Sequence, residues 1–403
     1  MSILVENDWW VRDDLKTDGD QLWFAGHRAS ELAYRYGTPS FFYSPKRVFE
    51  NIGRVRSALQ SAGFADRYRI HFAMKANRFL PLLTLLKTSG EVGIDACSPN
   101  EVERAISCGF QPSDISLTAN SLTPGEHETL CRLPGLKINC DSVSSISRWG
   151  ELRPGSSIGI RVNPEIGVGR AANDKLHYSG QQTTKFGIYR EQFQAALQEA
   201  RRHQLKVRTI HFHTGCGYLN DRLASWDEAI AASHWFIDQC SDLESVNVGG
   251  GLGVPHSSTD QPLCMNTWGQ ILAKHFADTS LTVEVEPGDY LVKDAGLLLT
   301  SVGCVERKKD TLFVGLNAGF NLAVEPAFYS LPFQPVATQT RPGDWQPTTI
   351  VGNINEALDV WYHQIQFPPV EEEDTVAILN AGAYSASMAS NHCMRGDFKE
   401  FLI

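Results

Sequence analysis

Short apolar runs recur along the first three-quarters of the chain, and most end in a polar residue or a glycine. Runs of four to seven residues rich in β-branched and aromatic side chains are typical of buried strands. The runs are His71 to Lys75, Val92 to Ala96, Ile115 to Ala119, Leu136 to Asp141, Ser157 to Asn163, Thr209 to His213, Ser245 to Gly249 and Thr282 to Glu286. Eight such strands are the number that closes a parallel barrel.

Amphipathic segments lie between these runs, with apolar residues at three- and four-residue spacings that indicate helices. They include Asn100 to Phe110, Arg190 to His203, Ser225 to Cys240 and Gln261 to Asp278. The stretch Thr123-Pro-Gly-Glu126 indicates a capping box with proline in the first helical turn. Alternation of strand and helix predicts right-handed βαβ units, and eight units predict an α/β fold with a (β/α)8 barrel.

The pattern changes at both ends of the barrel region. After Glu286 come longer β-rich segments, Tyr290 to Val305, Thr311 to Val314, Thr348 to Val351 and Thr375 to Ala381, which predict a second, antiparallel β domain. Gln21 to Phe24 and Pro39 to Tyr43 are predicted strands that precede the barrel and join this domain. The predicted division is residues 1–37 as an N-terminal segment, 38–285 as the barrel and 286–403 as the β domain.

The predicted strand ends carry polar residues, and in a parallel barrel these ends meet at one mouth, where active sites are built. They are Lys75, Asp95, Asn120, Asp141, Asn163, His213, Gly249 to Gly251 and Glu286. Asn120 and Asp141 are interpreted as helix caps. Lys75, His213 and Glu286 are interpreted as functional residues.

Composition limits the kind of partner. The 403 residues carry a formal charge of −10 and no basic stripe, which argues against nucleic acid or an anionic membrane as partner and favours a small substrate. The nine cysteines contain no Cys-x-x-Cys pair, so neither a disulfide framework nor a metal site is indicated. The N-terminal residues lack a signal-peptide pattern and no long apolar run occurs, from which we expect a cytoplasmic protein.

Two motifs have both a chemical and a structural interpretation. A lysine that closes an apolar strand, as Lys75 does, is either a desolvated nucleophile able to form a Schiff base or a side chain that reaches past the strand end to solvent. The stretch Asn247-Val-Gly-Gly-Gly-Leu-Gly253 follows a strand, so its glycines either surround a phosphate with backbone N–H groups or simply permit a tight turn. Neither motif decides the function alone.

Five motifs in order resemble one family across nearly the whole chain. They are His71-Phe-Ala-Met-Lys-Ala-Asn77, His211-Phe-His-Thr-Gly-Cys216, Asn247-Val-Gly-Gly-Gly-Leu-Gly253, Glu286-Pro-Gly288 and Gly382-Ala-Tyr-Ser385. Together they resemble the diaminopimelate and ornithine decarboxylases, which use pyridoxal 5'-phosphate (PLP) and share an alanine racemase-like barrel and β domain. The chain is thus identified as a divergent member of this fold-type III family.

The resemblance implies roles for particular residues. Lys75 would hold the cofactor, Glu286 would keep its pyridine nitrogen protonated so that the ring accepts electrons, and His213 would stack on the ring. The implied cofactor-binding residues are Lys75, Asp95, His213, Cys216, Gly249, Gly250, Gly251, Glu286, Gly288 and Tyr384. The implied catalytic residues are Lys75, Glu286, His213, Asn355 and Glu356, and the implied substrate-binding residues are Asp289, Glu325, Tyr329, Glu356 and Tyr384.

The chain departs from the family at four positions. Asp289 and Glu325 stand where diaminopimelate decarboxylases have arginines that hold the distal carboxylate, so we expect a substrate with an amine-bearing tail. Asn355 replaces a cysteine that reprotonates the substrate, and an amide is no general acid, which leaves Lys75, water or His392 as donor. Cys216 replaces a phosphate-binding serine with a weaker donor.

These observations predict a PLP-dependent decarboxylase that removes the α-carboxylate of a diamino or amine-bearing amino acid or conjugate, in a specialised pathway such as siderophore or antibiotic assembly. Three alternatives are diaminopimelate decarboxylation proper, racemisation or epimerisation on the same fold, and a non-catalytic PLP-binding regulator. The carboxylate of Glu286 favours decarboxylation, because the racemases place an arginine at that nitrogen. The resemblance also implies a homodimer in which Glu356 reaches the substrate of the other subunit.

Overall fold

A computed structural model describes residues 9–170, 174–180 and 182–403, and the chain divides into two compact units. The barrel unit runs from Ile52 to Val254 and from Gln261 to Tyr290. The sheet unit combines the stretch that ends at Asn51 with Pro255–Asp260 and Leu291–Ile403. The domain boundaries predicted from the sequence, after residues 37 and 285, stay a prediction.

Eight parallel strands close the barrel unit, as the apolar runs predict. In chain order they are Tyr68–Ala73, Gly93–Ala96, Ile115–Leu117, Lys137–Cys140, Ser157–Arg161, Lys206–His211, Ser245–Asn247 and Thr282–Val285. The last strand pairs with the first, with Val283 opposite Tyr68 and Val285 opposite Ile70, so no edge remains. Strands buried on both faces lose the alternation of polar and apolar residues, which is why they appear in the sequence as near-continuous apolar runs.

Helices follow the barrel strands, and those that begin at Pro99, Pro124 and Val143 have a serine or threonine cap. Their bounds are Leu80–Ser89, Pro99–Ser107, Pro124–Leu130, Val143–Leu152, Arg190–Arg202, Leu223–Ile237 and Met265–Phe276, and Pro45–Ser61 precedes the first strand. The predicted capping box is confirmed: Thr123 accepts from the backbone N–H of Glu126, and the Glu126 side chain accepts in return.

The interpretation of Asn120 and Asp141 as helix caps is wrong. The helices that follow them are capped by Thr123 and Ser142, whose hydroxyls accept from backbone N–H groups three residues on. The Asn120 amide instead donates to the Asp141 carboxylate. A serine or threonine nearer to the helix start satisfies the N–H groups, so the preceding polar residues are available for contacts with each other.

The sheet unit is mainly antiparallel but contains parallel pairs. Its strands are Leu15–Asp18, Gln21–Phe24, His27–Arg28, Ser40–Tyr43, Gly296–Lys308, Thr311–Leu316, Pro335–Ala337, Gln346–Val351, Val360–Phe367, Thr375–Ile378 and Lys399–Leu402. Ser40–Tyr43 pairs antiparallel with the start of Gly296–Lys308 and parallel with Lys399–Leu402. Thr311–Leu316 pairs parallel with Gln346–Val351, so the sheet is mixed rather than purely antiparallel.

Short helices also occur in the sheet unit and at the point where the predicted barrel region passes into the predicted β domain. They are Ala29–Tyr36, Asp289–Val292 and Glu325–Tyr329. Tyr290 to Val305 was predicted as one β segment, but its first residues are helical and the strand begins at Gly296. Among the described residues, none of the helices has the length and apolar character needed to cross a bilayer.

A buried ionic cluster ties distant parts of the sheet unit together. The Asp294 carboxylate accepts from Arg47 Nε at 3.0 Å and from Asn51 Nδ2 at 2.7 Å, while Arg12 donates to the Asp294 backbone carbonyl. Burial acts to raise the pKa of Asp294, but the charges of Arg12 and Arg47 outweigh it and the pKa is lowered. The ionised carboxylate therefore contributes stability at neutral pH, and this contribution is lost as the pH falls through the lowered pKa.

Replacing Asp294 with alanine should destabilise the sheet unit by about 3 kcal/mol or more, because it leaves the buried Arg47 guanidinium with only a long contact to the half-exposed Glu50 at 3.4 Å. The measurement is the midpoint of thermal unfolding. The matched control is Glu31→Ala, which breaks an ion pair with Arg28 that is 48% and 66% exposed and should cost less than about 0.5 kcal/mol. Equal shifts for the two variants would contradict the assignment.

Candidate active site

Lys75 lies just past the first barrel strand, in the short 3-10 turn Met74–Ala76. Its Nζ lies 3.2 Å from Asp95 Oδ2 and 3.3 Å from Cys97 Sγ, both carried by the neighbouring strand end. The Lys75 side chain is 41% exposed and that of Asp95 is 2% exposed. A cationic amine is therefore held at the mouth by a buried carboxylate, where it is accessible to a ligand.

Asp95 does not behave as an ordinary ion-pair partner. Burial and the negative charge of Glu286 raise its pKa to about 6, and the opposing effect of Lys75 does not compensate. Burial likewise raises the pKa of the Cys97 thiol to about 12, so the thiol stays protonated. The sequence interpretation missed Cys97, although it stands two residues beyond Asp95 and hence on the same face of the strand end.

Glu286 follows the last barrel strand and is almost fully buried. Its Oε1 accepts from Asn247 Nδ2 at 2.6 Å and from Ser116 Oγ at 3.2 Å, and its Oε2 lies 2.9 Å from His211 Nε2. Burial acts to raise the pKa of Glu286, but the charge and hydrogen bond of His211 prevail and the pKa is strongly lowered. The carboxylate is therefore ionised, and a cationic or N–H-bearing ligand at the mouth would lie in its field.

The partners of Glu286 were not predicted, although each has a sequence signal. His211, Asn247 and Ser116 are polar residues inside apolar runs, where a solvent-facing position is excluded. His211 Nδ1 is also buried and has no hydrogen-bond partner among the residues that the structure describes. Polar residues in the interior of predicted barrel strands are thus the residues that bind the Glu286 carboxylate, but this became clear only from the structure.

His213 presents an imidazole ring that is held in a neutral form. Burial, followed by the positive charges of Lys75 and Arg161, lowers its pKa well below the usual value. Its Nδ1 accepts from the backbone N–H of Gly250 at 3.3 Å, and its ring centroid lies 5.1 Å from that of Tyr178. A flat, uncharged ring fixed in this way is suited to stacking against a planar ligand.

The glycine loop leaves no room for side chains. A Cβ at Gly250 would lie 2.1 Å from the Glu286 carbonyl oxygen, and one at Gly251 would lie 2.2 Å from the Gly215 carbonyl oxygen. Gly249 and Gly251 also have φ angles of +71° and +97°, which disfavour other residues. Cys216 Sγ lies 3.9 Å from His213 Nε2 beside this loop. A backbone cradle, a reactive lysine and a buried carboxylate in one barrel mouth fit the parts of PLP, its phosphate, aldehyde and pyridine nitrogen.

The remaining predicted residues are distributed over both units. In the barrel unit, Gly288 and Asp289 are buried just after Glu286. In the sheet unit, Lys293 Nζ lies 2.5 Å from Glu325 Oε2 and 5.6 Å from the centroid of the Tyr384 ring. Glu325 begins the short helix that contains the half-buried Tyr329. The roles predicted for these residues stay predictions.

Asn355 and Glu356 are exposed in one loop of the sheet unit. The loop is closed by the buried Asp359 carboxylate, which accepts from the backbone N–H groups of Phe320 and Ile354, each at 2.7 Å. Glu356 Oε1 lies 3.2 Å from His392 Nε2, and both side chains are nearly half exposed. A glutamate paired with a histidine is thus presented on the surface of this unit, next to the amide side chain of Asn355.

Known proteins resemble both the sequence and the fold. A family model described as the pyridoxal-binding domain of pyridoxal-dependent decarboxylases matches residues 47–293, and one for their C-terminal sheet domain matches residues 276–382. Diaminopimelate decarboxylase of Methanothermobacter thermautotrophicus is 32% identical over 96% of this chain and 91% of that protein. Diaminopimelate decarboxylase of Escherichia coli K12 is 30% identical over 83% of each chain.

Solved structures of other proteins also resemble the fold of this chain. Diaminopimelate decarboxylase from M. jannaschii in complex with L-lysine aligns with a TM-score of 0.87 and 25% identity over 97% of this chain and 93% of that one. An arginine decarboxylase from Paramecium bursaria Chlorella virus bound to agmatine aligns with a TM-score of 0.80 at 19% identity, over 93% of this chain and 98% of that one. The latter supports the fold alone. The prediction of a decarboxylase, rather than a racemase or a non-catalytic binder, is confirmed, and so is the cofactor. The chain belongs to the pyridoxal-dependent decarboxylase family, and it is a carboxy-lyase that uses PLP to remove carbon dioxide from an amino acid.

Proposed function

We propose that this enzyme decarboxylates an amino acid whose side chain ends in an amine or an uncharged group rather than in the second carboxylate of diaminopimelate. The observation that carries the proposal is the buried ion pair of Lys293 and Glu325 in the sheet unit, with side chains 1% and 7% exposed. The glutamate stands where the related enzymes have an arginine, and it neutralises the lysine beside it. The pair therefore supplies no net positive charge for an acidic substrate tail.

Asp289 adds to this argument in the barrel unit. It is buried and follows Glu286-Pro-Gly288 at the position of the other family arginine. A buried carboxylate repels a second carboxylate and attracts an ammonium or a hydrogen-bond donor. Because Glu325 is neutralised by Lys293, Asp289 is the acidic residue to which we assign the recognition of an amine-bearing tail.

The residues of the barrel mouth have distinct proposed tasks. PLP, when bound, supplies an aldehyde that captures the substrate amine and a ring that accepts the electron pair left by departing carbon dioxide. Lys75 would hold that aldehyde, and the ionised Glu286 would keep a proton on the pyridine nitrogen. His213 would support the ring with a neutral face, and Gly249 to Gly251 would hold the phosphate. Asp95, which lies 3.2 Å from Lys75 Nζ, would position the lysine amine and exchange a proton with it.

A second candidate is diaminopimelate decarboxylation itself. It is favoured by the relatives that are 32% and 30% identical over most of the chain. The two candidate reactions differ in the substrate tail: an amine or an uncharged group in the first, and a second carboxylate in diaminopimelate. A pathway in siderophore or antibiotic assembly stays a prediction.

We also infer a homodimer, as the resemblance implies. The sheet unit exposes the large apolar side chains of Phe328, Leu358, Met388 and Met394, with exposed fractions of 45%, 45%, 39% and 86%. Leu358 belongs to the loop that carries Glu356. Phe328 lies near it, since the Phe320 ring lies 6.0 Å from the rings of Phe328 and of His392, the partner of Glu356. Exposed apolar side chains close to one another are typical of an interface. Light scattering of the purified protein should give twice the mass of one chain.

The proposed specificity predicts a clear order of substrates. Purified holoenzyme should release carbon dioxide from diamino acids, or from conjugates with an amine tail, with a kcat/KM at least about tenfold above that for meso-diaminopimelate. The measurement is carbon dioxide and amine product across a panel that includes both classes. A clear preference for meso-diaminopimelate would reject the proposal in favour of the second candidate.

Replacing Asp289 with asparagine should raise KM for amine-tailed substrates about tenfold or more, since a charge-assisted hydrogen bond is lost while shape is kept. The value of kcat should change much less. A matched control is Asp278→Asn, an exposed aspartate of the same unit, which should leave both constants unchanged. An Asp289→Asn enzyme with unaltered KM for every amine-tailed substrate would refute the assigned contact.

Replacing Glu286 with glutamine should lower kcat about 100-fold or more, because an amide does not hold a proton on the pyridine nitrogen. The same variant should alter the absorbance of the bound cofactor. Glu284→Gln is the control, since Glu284 is similarly buried two residues earlier but contacts His71 and Lys137. It should lower stability while retaining most of the activity. Similar losses of kcat in both variants would indicate a structural role for Glu286.

A further inference from the structure

The barrel unit contains a second cavity, at the end opposite to Lys75 and Glu286. Its lining residues come from the N-terminal ends of the strands and the loops before them, and its volume is about 350 Å³. We call it the floor cavity. This volume lies within the range of small-molecule sites. Its charged lining residues are Arg69, Lys137, Arg153, Arg208, Glu244 and Glu284.

Positive charge prevails in the floor cavity, although the whole chain has a net charge of −10. Arg208 is paired with Glu244 at 3.3 Å, and Arg153 donates to the backbone carbonyl of Cys131 at 2.6 Å. These two arginines are therefore held in place by the protein. The other two cations, Arg69 and Lys137, are less constrained.

Arg69 and Lys137 have capacity for a ligand. The Arg69 guanidinium is exposed and makes no hydrogen bond or ion pair with the residues that the structure describes. Lys137 Nζ lies 3.5 Å from Glu284 Oε1, a long contact, while the other oxygen of Glu284 lies 3.1 Å from His71 Nε2. Two cations with donor groups to spare, in one concave site, are suited to a ligand with two anionic groups.

The floor cavity is connected to the catalytic carboxylate by hydrogen bonds. Ser116 and Asn139 both line the cavity. Asn139 Nδ2 donates to Ser116 Oγ at 3.0 Å, and Ser116 Oγ donates to Glu286 Oε1 at 3.2 Å. A ligand that shifts Asn139 or Ser116 therefore changes the hydrogen bonding of Glu286.

We propose that the floor cavity is an effector site for a small dianion, a dicarboxylate or a phosphate, which Arg69 and Lys137 bind and whose presence is transmitted through Ser116 to Glu286. The site is independent of the substrate assigned above, since it lies at the other end of the barrel and uses none of the substrate-binding residues.

The binding test uses holoenzyme, in which PLP already occupies the glycine loop, so that added phosphate is not captured there. Calorimetric titration with inorganic phosphate and with succinate, in about 0.15 M salt to screen weak surface binding, should give saturable binding of at least one probe. The preferred probe then identifies the anion class. Arg69→Ala should weaken binding about tenfold or more.

Arg202→Ala is the matched control, because Arg202 is a 72% exposed arginine of the same unit outside the cavity. It should bind the probes as the unmodified enzyme does. No saturable binding below about 10 mM, or equal binding by Arg69→Ala and Arg202→Ala, would overturn the site.

A separate experiment tests whether binding in the floor cavity affects Glu286 through Ser116. Addition of the bound probe should change the absorbance of the holoenzyme cofactor, and this change should disappear in Ser116→Ala, which still binds the probe. Arg69→Ala should lose the change together with the binding. An unaltered cofactor spectrum on saturation with the probe would overturn the effector role even where calorimetry detects binding.

Discussion

The arrangement of the barrel unit depends on keeping one buried carboxylate ionised. Glu286 loses almost all contact with water, and an isolated charge in such a place would be neutralised or expelled. Three donors prevent this: Asn247, His211 and Ser116 contact its two oxygens at 2.6 to 3.2 Å. Each donor belongs to a different strand, so the charge is stable only when the barrel is closed. Closure of the barrel and ionisation of this buried carboxylate are therefore one event.

The two-residue period of a β-strand explains why a second carboxylate, that of Glu284, faces the barrel interior as Glu286 does. Glu284 and Glu286 are two residues apart and hence face the same side, the interior of the barrel. Glu284 is balanced by His71 and Lys137, which lower its pKa to about 2 although burial acts against them. Two negative charges are thus stacked along the barrel axis, each with its own histidine. Ser116 and Asn139 line the floor cavity, and their hydrogen bonds lead from it to Glu286.

Much of this fold could be predicted from the sequence, because parallel strands buried on both faces appear as apolar runs and because most runs carry a polar residue or a glycine at or next to the end that lies at the mouth. Lys75, His213, Glu286 and the glycine loop were found for that reason. The partners of Glu286 were not, since a polar residue inside an apolar run identifies burial but not the atom it contacts. The parallel pairing of Thr311–Leu316 with Gln346–Val351 was also missed, because pairing between strands that are distant along the chain has no local signal.

The Lys293 and Glu325 pair illustrates how the interpretation of a substitution depends on its neighbours. Taken by itself, the glutamate that the resemblance places where related enzymes have an arginine reverses the charge of that position, and this is the basis on which the sequence predicts a cationic substrate tail. With Lys293 Nζ at 2.5 Å, however, the glutamate has a cation of its own, and the pair is nearly neutral as seen from any distance. The contribution of this position is then the removal of a positive charge rather than the addition of a negative one. Under the proposed function, discrimination against an acidic tail is expected from either interpretation, whereas attraction of an amine tail is assigned to Asp289, three residues after Glu286.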